Sequence, residues 1–427
     1  MLDRRFIVEN VDAVKQNCAD RGVEANVDRL VELELLRRDK QKEVEQLNRQ
    51  ANEVSKSIGK APPDMKETRK EEGRKLRERK ERVQAEVERL DGEVAELQGG
   101  IPNMSHPQVP RGADEKSNLA LRQGKHKPRD FDFPVRDHVE LGEGLDLLDF
   151  EGGAKIAGHG FYFLKNEAAL LELALQQFAI RHLVEEGFTP LVTPDLAYTE
   201  ILQGTGYIPR GPETQIYSIE NSNLNLVATA EITLGGLMAG EILDADQLPV
   251  KLCGISHCFR TEAGAAGRAS RGLYRVHQFT KVEMFAFTLP DQSDGMLDHF
   301  CDLECQLFDR LGIPYRVVDT ATGDLGGPAY RKFDLEAWMP GRGEWGEVTS
   351  TSNCTDYQAR RLNTRFKTRG QKGTRLVHSL NGTAIAISRA LVAILENYQQ
   401  ADGSVLIPEA LQAWVGTDRI APPAAAR

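Results

Sequence analysis

Between residues 27 and 97 the chain has no aromatic residue, charges dominate, and apolar side chains recur at alternating spacings of three and four. Leu30, Leu33, Val44, Leu47, Ala51, Val54 and Ile58 hold one a/d register, interrupted by Arg37 and Lys40. Leu76, Val83, Val87, Leu90, Val94 and Leu97 hold a second, with Lys80 at one seam position. The APPD stretch at 61–64 separates them and cannot continue a helix. The pattern predicts an antiparallel helical hairpin. At 1.5 Å per residue, each helix of about 32 residues reaches on the order of 48 Å, so the hairpin must project into solvent. Gly73 inside the second helix costs about 1 kcal/mol relative to alanine, and the sequence offers no reason for it.

Residues 66–82 hold nine Lys or Arg against five Glu, in a chain whose formal charge is −10. A polyanionic partner must therefore meet a local basic patch, because the average field repels it. Two readings of that patch stay open: a solvated coiled-coil face held by i,i+4 pairs, or a contact with nucleic-acid phosphates. No apolar run approaches the ~18 residues of a membrane span, so no membrane partner is expected. The start, MLDRRFIVENVDAVKQN, is acidic early and lacks an apolar core, which argues against a secretory or transit leader and for the cytoplasm. Six cysteines without a C-x-x-C fit reduced thiols. His299, Cys301 and Cys305 come nearest to a metal pattern, but read better as a buried helix face, and no zinc is predicted.

The Gly- and Pro-rich segment at 99–118 reads as the linker that ends the arm. Two domains are expected, 1–110 with the hairpin and 111–427 as the body. The residues before Val27 should form a short helix docked on that body. Within the body, an amphipathic helix at 166–186, a long final helix at 383–400 and short strands without regular strand–helix alternation favour α+β with a largely antiparallel sheet.

No G-x-x-x-x-G-K-[ST] loop and no strand-anchored G-x-G-x-x-G occurs in the sequence. Residues 258–285 instead gather Arg260, Arg268, Arg271, Arg275, Glu262 and Glu283 around a loop with glycines at 264, 267 and 272. Strand alternation over 251–262 would put Arg260 and Glu262 on one face; over 273–287 it would align Arg275, Phe279 and Glu283. Such a face offers cations for phosphates, an aromatic plane for a base and a carboxylate for an amine or hydroxyl. Cross-strand ion pairs on a solvated face would explain any one of these residues, but not the set. His257 and His277 flank the region and read as structural.

The segment CFRTEAG…RG…HQFTKVEM resembles motif 2 of the class II aminoacyl-tRNA synthetases, and within them the seryl-tRNA synthetase family. ATAEIT (228–233), TGDLG…FDLEAWMP…GEVTSTSNCTDYQARRLN (322–363) and HSLNGTAIAISRALVAILENYQ (378–399) resemble the same family. GFTPLVTPDL (187–196) is similar to motif 1, with Pro194 as its proline. The resemblance implies a class II catalytic domain on an antiparallel sheet, carrying an N-terminal coiled-coil hairpin, and a homodimer. It implies that ATP binds without a glycine–lysine loop, arginine forks taking the phosphates.

By that resemblance Arg260 holds the α-phosphate, Thr261 and Glu262 lie on the adenine side, Arg275 takes the outer phosphates, and Phe279 stacks on the base beside Val276. Arg389 grips the γ-phosphate and, with Arg260, is catalytic. Glu347, Val348, Thr349 and Ser350 form the family's ExxS stretch, with Glu347 and Ser350 on ATP and its Mg²⁺; a spacing of three requires a bulge or strand end there. Serine falls to Thr229, Ala230, Glu231, Glu283 and Thr383. The hairpin would grip the long variable arm of serine tRNA, with selenocysteine tRNA a further acceptor. Thr349 replaces a frequent serine, and Ser388 stands before Arg389 where glycine is common. The alternatives are an amino acid:carrier protein ligase, disfavoured by the arm, and an inactive paralogue, disfavoured by the presence of Arg260, Arg275 and Arg389.

Overall fold

The computed structural model describes residues 1–207, 215–262 and 271–422; Arg268 and glycines 264 and 267 lie outside them. The chain divides into two compact units, Met1–Met104 and Ser105–Arg427.

In the first unit α1 (Arg4–Glu9) and α2 (Val11–Asp20) precede α3 (Val27–Ile58) and α4 (Pro63–Gly99). Asp3 caps α1 through the Arg5 and Phe6 N–H groups, Asn26 caps α3 through that of Arg29, and Pro63 opens α4 at a position that needs no donor. The N-terminal residues thus form two helices rather than one. They belong to the first unit and not to the body as expected: Ile7, Val14 and Cys18 pack with Leu30, Leu33, Leu90 and Val94 at the base of the hairpin. Farther out, Val44 and Leu47 face Val83 and Val87. Where the α3 register lapses, Glu34 is buried and accepts from Arg37 Nε and Arg38 Nε, both at 2.7 Å, and Lys40 Nζ meets Glu86 at 2.9 Å. A charged cluster fills the gap in the apolar seam.

The second unit is built from α5 (His138–Gly144), α6 (Asn166–Glu185), α7 (Ala230–Leu237), α8 (Ser293–Arg310) and α9 (Ile387–Asn397), among shorter helices. Its main strands are β1 (Leu119–Gln123), β2 (Thr189–Val192), β3 (Val250–Phe259), β4 (Gln278–Thr288), β5 (Tyr315–Asp319), β6 (Arg331–Met339), β7 (Glu344–Thr355) and β8 (His378–Ala386). Among the described residues these eight form one sheet in the order β1-β5-β6-β7-β8-β4-β3-β2, antiparallel except for the β2–β3 pair at one edge. One face packs on α6, α8 and α9 through Phe178, Phe300, Leu391, Val282, Met284 and Leu380. On the other face Phe285 and Phe287 lie under Ala230 and Leu234 of α7, leaving the rest of that face open as a cleft. The helix expected at 383–400 is shorter: residues 383–386 finish β8, because a continuous apolar run suits a doubly covered strand as well as a helix. No helix among the described residues is long and apolar enough to cross a membrane.

Candidate active site

β3 and β4 pair with Cys258 opposite Phe279, Ser256 opposite Lys281 and Gly254 opposite Glu283, while Thr383 of β8 lies opposite Glu283 on the other side. Phe279, Lys281 and Glu283 therefore share the open face. β3 ends at Phe259 and β4 begins at Gln278, so Glu262 and Arg275 are not strand residues as the alternation suggested. Glu262 turns to φ 49°, and the two meet through an ion pair of 2.9 Å between Arg275 Nη1 and Glu262 Oε2. Arg260 holds one further ladder bond, N–H to His277 O at 2.9 Å, and its guanidinium lies 5.2 Å from the Phe279 ring centre. His277 Nδ1 is 2.8 Å from Arg260 O, in keeping with a structural role.

The β6–β7 register slips between Leu335 and Glu336, leaving Val348 as the extra residue. This bulge turns Glu347 and Ser350 to the same cavity despite their spacing of three. Thr349 points its hydroxyl the other way, to Glu304 Oε2 of α8 at 2.9 Å, and Val348 is buried. Arg389, near the start of α9, reaches Glu347 Oε1 at 3.2 Å and Glu347 O at 2.9 Å, and lies over the Tyr274 ring at 4.8 Å. Burial opposes ionisation of Glu347, but the charges of Arg389, Lys332 and Arg260 hold its carboxyl below the usual range. An ionised carboxylate and a hydroxyl on one face are hard oxygen donors, which fits Mg²⁺ taking its remaining ligands from phosphates and water.

The cleft has two lobes. A narrow one of about 50 Å³ is lined by Glu262, Tyr274, Arg275, Val276, Phe279, Ser388 and Arg389. A wider one of about 490 Å³ is lined by Tyr207, Glu231, Glu283, Ser350 and Asn381. Arg260, Lys281, Glu347 and Thr383 line both. Behind the wide lobe the buried Thr229 caps α7 through the Glu231 N–H, which aims Glu231 inward. Glu231 accepts from Gln358 Nε2 at 2.6 Å, Asn381 Nδ2 at 2.8 Å and the Tyr207 hydroxyl at 3.2 Å. Burial, then the neighbouring Glu283 charge, raise its pKa to about 7. Lys281 contacts the Glu283 carboxylate and donates to Thr383 Oγ1 at 3.3 Å. Glu283 is nevertheless pushed up, by its burial.

Three of the expected site residues line neither lobe: Thr229 is buried at the α7 cap behind Glu231. Ala230 is fully buried in the apolar cluster under α7, and Thr261, whose N–H donates to Gln215 O at 3.1 Å, stands outside both lobes. Conversely, Lys281, Tyr207, Tyr274, Gln358 and Asn381 were given no role from sequence. Alternation along β4 was enough to find Lys281 between Phe279 and Glu283; the rest carry no local signal. His138 also escaped notice: its Nε2 accepts the Leu273 N–H at 3.1 Å, and Nδ1 meets the buried Glu396 at 2.9 Å, fixing the chain just before Tyr274 and Arg275.

The tRNA synthetase class II core domain (G, H, P, S and T) matches residues 216–398, and the seryl-tRNA synthetase N-terminal domain matches residues 1–105. The fold is that of a class II aminoacyl-tRNA synthetase. The serine–tRNA ligase of Rhodopirellula baltica is 63% identical over 98% of this chain and 99% of its own, and that of Rubrobacter xylanophilus 54% over 99% of each. The chain belongs to the seryl-tRNA synthetase family. Among solved structures, seryl-tRNA synthetase from Pyrococcus horikoshii complexed with ATP has a TM-score of 0.93 at 40% identity, covering 99% of this chain and 100% of that one. Cytoplasmic serine–tRNA ligase from Naegleria fowleri in complex with AMP has 0.87 at 32%, covering 99% of each.

Proposed function

We propose that this aminoacyl-tRNA ligase activates serine with ATP in the two-lobed cleft and passes the seryl group to the 3′ end of serine tRNA. The observation that carries the proposal is that Arg260 and Lys281 line both lobes, with an aromatic ring and two further arginines in the narrow one and two buried carboxyls in the wide one. In the narrow lobe Phe279 would stack on adenine, Glu262 would accept from its amine, Arg275 and Arg389 would take the outer phosphates, and Arg260 the α-phosphate. Glu347 and Ser350 would hold the Mg²⁺ that accompanies ATP and neutralises phosphate charge. In the wide lobe Glu231 and Glu283 would receive the serine ammonium and Thr383 its hydroxyl. A pocket built to hydrogen-bond that hydroxyl rejects alanine, whose methyl leaves it unpaired.

The serine carboxylate is ionised at neutral pH, so its attack on the α-phosphorus needs no general base. Arg260 would hold carboxylate and phosphate in line and stabilise the charge that develops. Pyrophosphate exchange into ATP, run with each of the twenty amino acids, tests this step. Serine should drive it above all others; exchange driven by glycine or alanine, or by none, would overturn the assignment.

The same reading makes the hairpin the tRNA grip and the protein a homodimer in the cytoplasm. Val192 of β2 is 84% exposed, Ile156 76% and Leu173 60%, and Leu173 and Ile156 line an apolar depression of about 580 Å³. Apolar exposure on that scale supports a self-complementary interface. Sedimentation of the purified chain should give twice the chain mass; a monomer at micromolar concentration would contradict it.

A further inference from the structure

Helix α8 carries Cys301 and Cys305 one turn apart, on the side that meets β1, and a half-exposed arginine of β1 lies over both. Arg122 Nη2 is 3.5 Å from Cys305 Sγ and 3.9 Å from Cys301 Sγ, and its position is fixed by Asp302. A cavity of about 340 Å³ opens beside Cys301, lined by Leu121, Arg122, Asp298, Cys301 and Val317, and Cys305 lies behind it under Arg122. The hydrogen bond from Cys301, then those from Tyr315 and Arg122, draw Cys305 down to about 7 against its burial. The remaining proton is held on Cys301, whose thiol is pushed up in turn. The two thiols, one turn apart under the same guanidinium, titrate as a coupled pair.

We propose that the Cys301–Cys305 dyad is a modification site for small disulfides, and that its occupation disturbs the ATP side of the cleft. The thiolate attacks one sulfur of the small disulfide. A new S–S bond joins protein to that half, the old S–S bond breaks, and the other half leaves as a thiolate, while the second cysteine stays a thiol. The dyad does not close on itself: side chains four apart on a helix have Cβ atoms about 5–6 Å apart, against the roughly 3.5–4.5 Å of a disulfide. The route to the cleft is short. Glu304, between the two cysteines, accepts from Thr349 Oγ1 at 2.9 Å, and Thr349 is two residues from Glu347 in the bulged strand. A group wedged under this turn of α8 displaces that buried bond. The second half of the proposal rests on the serine–ATP reading above, because it is read as exchange activity.

The full chain is treated with hydroxyethyl disulfide at neutral pH and its peptides are mapped by mass. The adduct should form on the peptide holding Cys301 and Cys305 about ten-fold faster than on Cys18, Cys253, Cys258 or Cys354. Arg122→Leu should slow it by about the same factor, and serine-dependent pyrophosphate exchange should fall with the adduct and return with dithiothreitol. A C301S/C305S double variant should exchange normally and ignore the reagent. Even labelling of all six cysteines, or a rate indifferent to Arg122→Leu, overturns the dyad. Should that variant not fold, the pH dependence of labelling in the unaltered chain decides: a midpoint near neutrality supports the dyad, and one at the free-thiol value of about 8.5 overturns it. An adduct that leaves exchange unchanged overturns the coupling. A chain with no exchange before treatment fails the functional reading alone, and the mapping still decides the site.

Discussion

Glu231 shows how one buried carboxyl ties stability to pH. Its pKa near 7 means that the folded chain keeps a proton that the unfolded chain releases near 4.3. The stability tied to that proton is full below about pH 4 and is lost as pH rises through 7. The melting temperature of the ligand-free chain should therefore fall between pH 5 and 8, and Glu231→Gln, which keeps an oxygen for Gln358 and Asn381, should flatten that fall in calorimetry. On the proposed serine reading the same variant also removes the charge offered to the ammonium, so KM for serine should rise about a hundredfold while KM for ATP holds. An unchanged serine KM would remove Glu231 from the pocket. How much of this was legible follows from sequence distance. Phe279 and Glu283 were found because a strand repeats every two residues, and Lys281 was open to the same argument. Gln358 lies 127 residues from Glu231, and only the fold brings them together. Arg275 and Glu262 were rightly grouped but wrongly placed, because strand alternation gives no warning of where a ladder stops.

At the level of elements, apolar periodicity read the hairpin well: every buried apolar side chain of α4 is a seam residue that the heptad spacing names. It failed where periodicity is ambiguous, at the β8–α9 junction, and where partners replace pattern, as in the Glu34 cluster that occupies the register gap. Gly73 joins the two levels. It faces Val54 across the hairpin, and a β-carbon there would sit 3.6 Å from Val54 Cγ1, an ordinary contact. The backbone is helical, so nothing in the folded state requires glycine. Gly73→Ala should stabilise the arm by up to about 1 kcal/mol, raising protection of the neighbouring amides in hydrogen exchange. Reduced protection would mean that the two helices need to approach more closely at this position than the structure has them.

For the molecule as a whole, the question is whether the hairpin works for binding or only for shape. Its ion pairs, such as Arg69–Glu72, Arg74–Glu71 and Arg79–Glu43, account for part of the charge on residues 66–82, as a solvated face would. Pairs inside the segment leave its excess of four cations as it is, Glu43 of the facing helix offsets one of them, and the remainder on a rod is what a phosphate backbone meets. The two roles separate if the outer arm is removed. Replacing residues 41–87 by a short glycine linker deletes the Val44–Leu47–Val83–Val87 cluster but keeps the base, where Leu30, Leu33, Leu90 and Val94 pack with Ile7 and Val14. The cleft lies wholly in the other unit, so serine-dependent pyrophosphate exchange should be unchanged. Charging of serine tRNA should fall about a hundredfold in kcat/KM, and the salt dependence of what remains should be shallower because fewer counterions are released. Charging that survives the deletion with its salt dependence intact would make the arm a solvated strut and leave tRNA recognition to the catalytic unit.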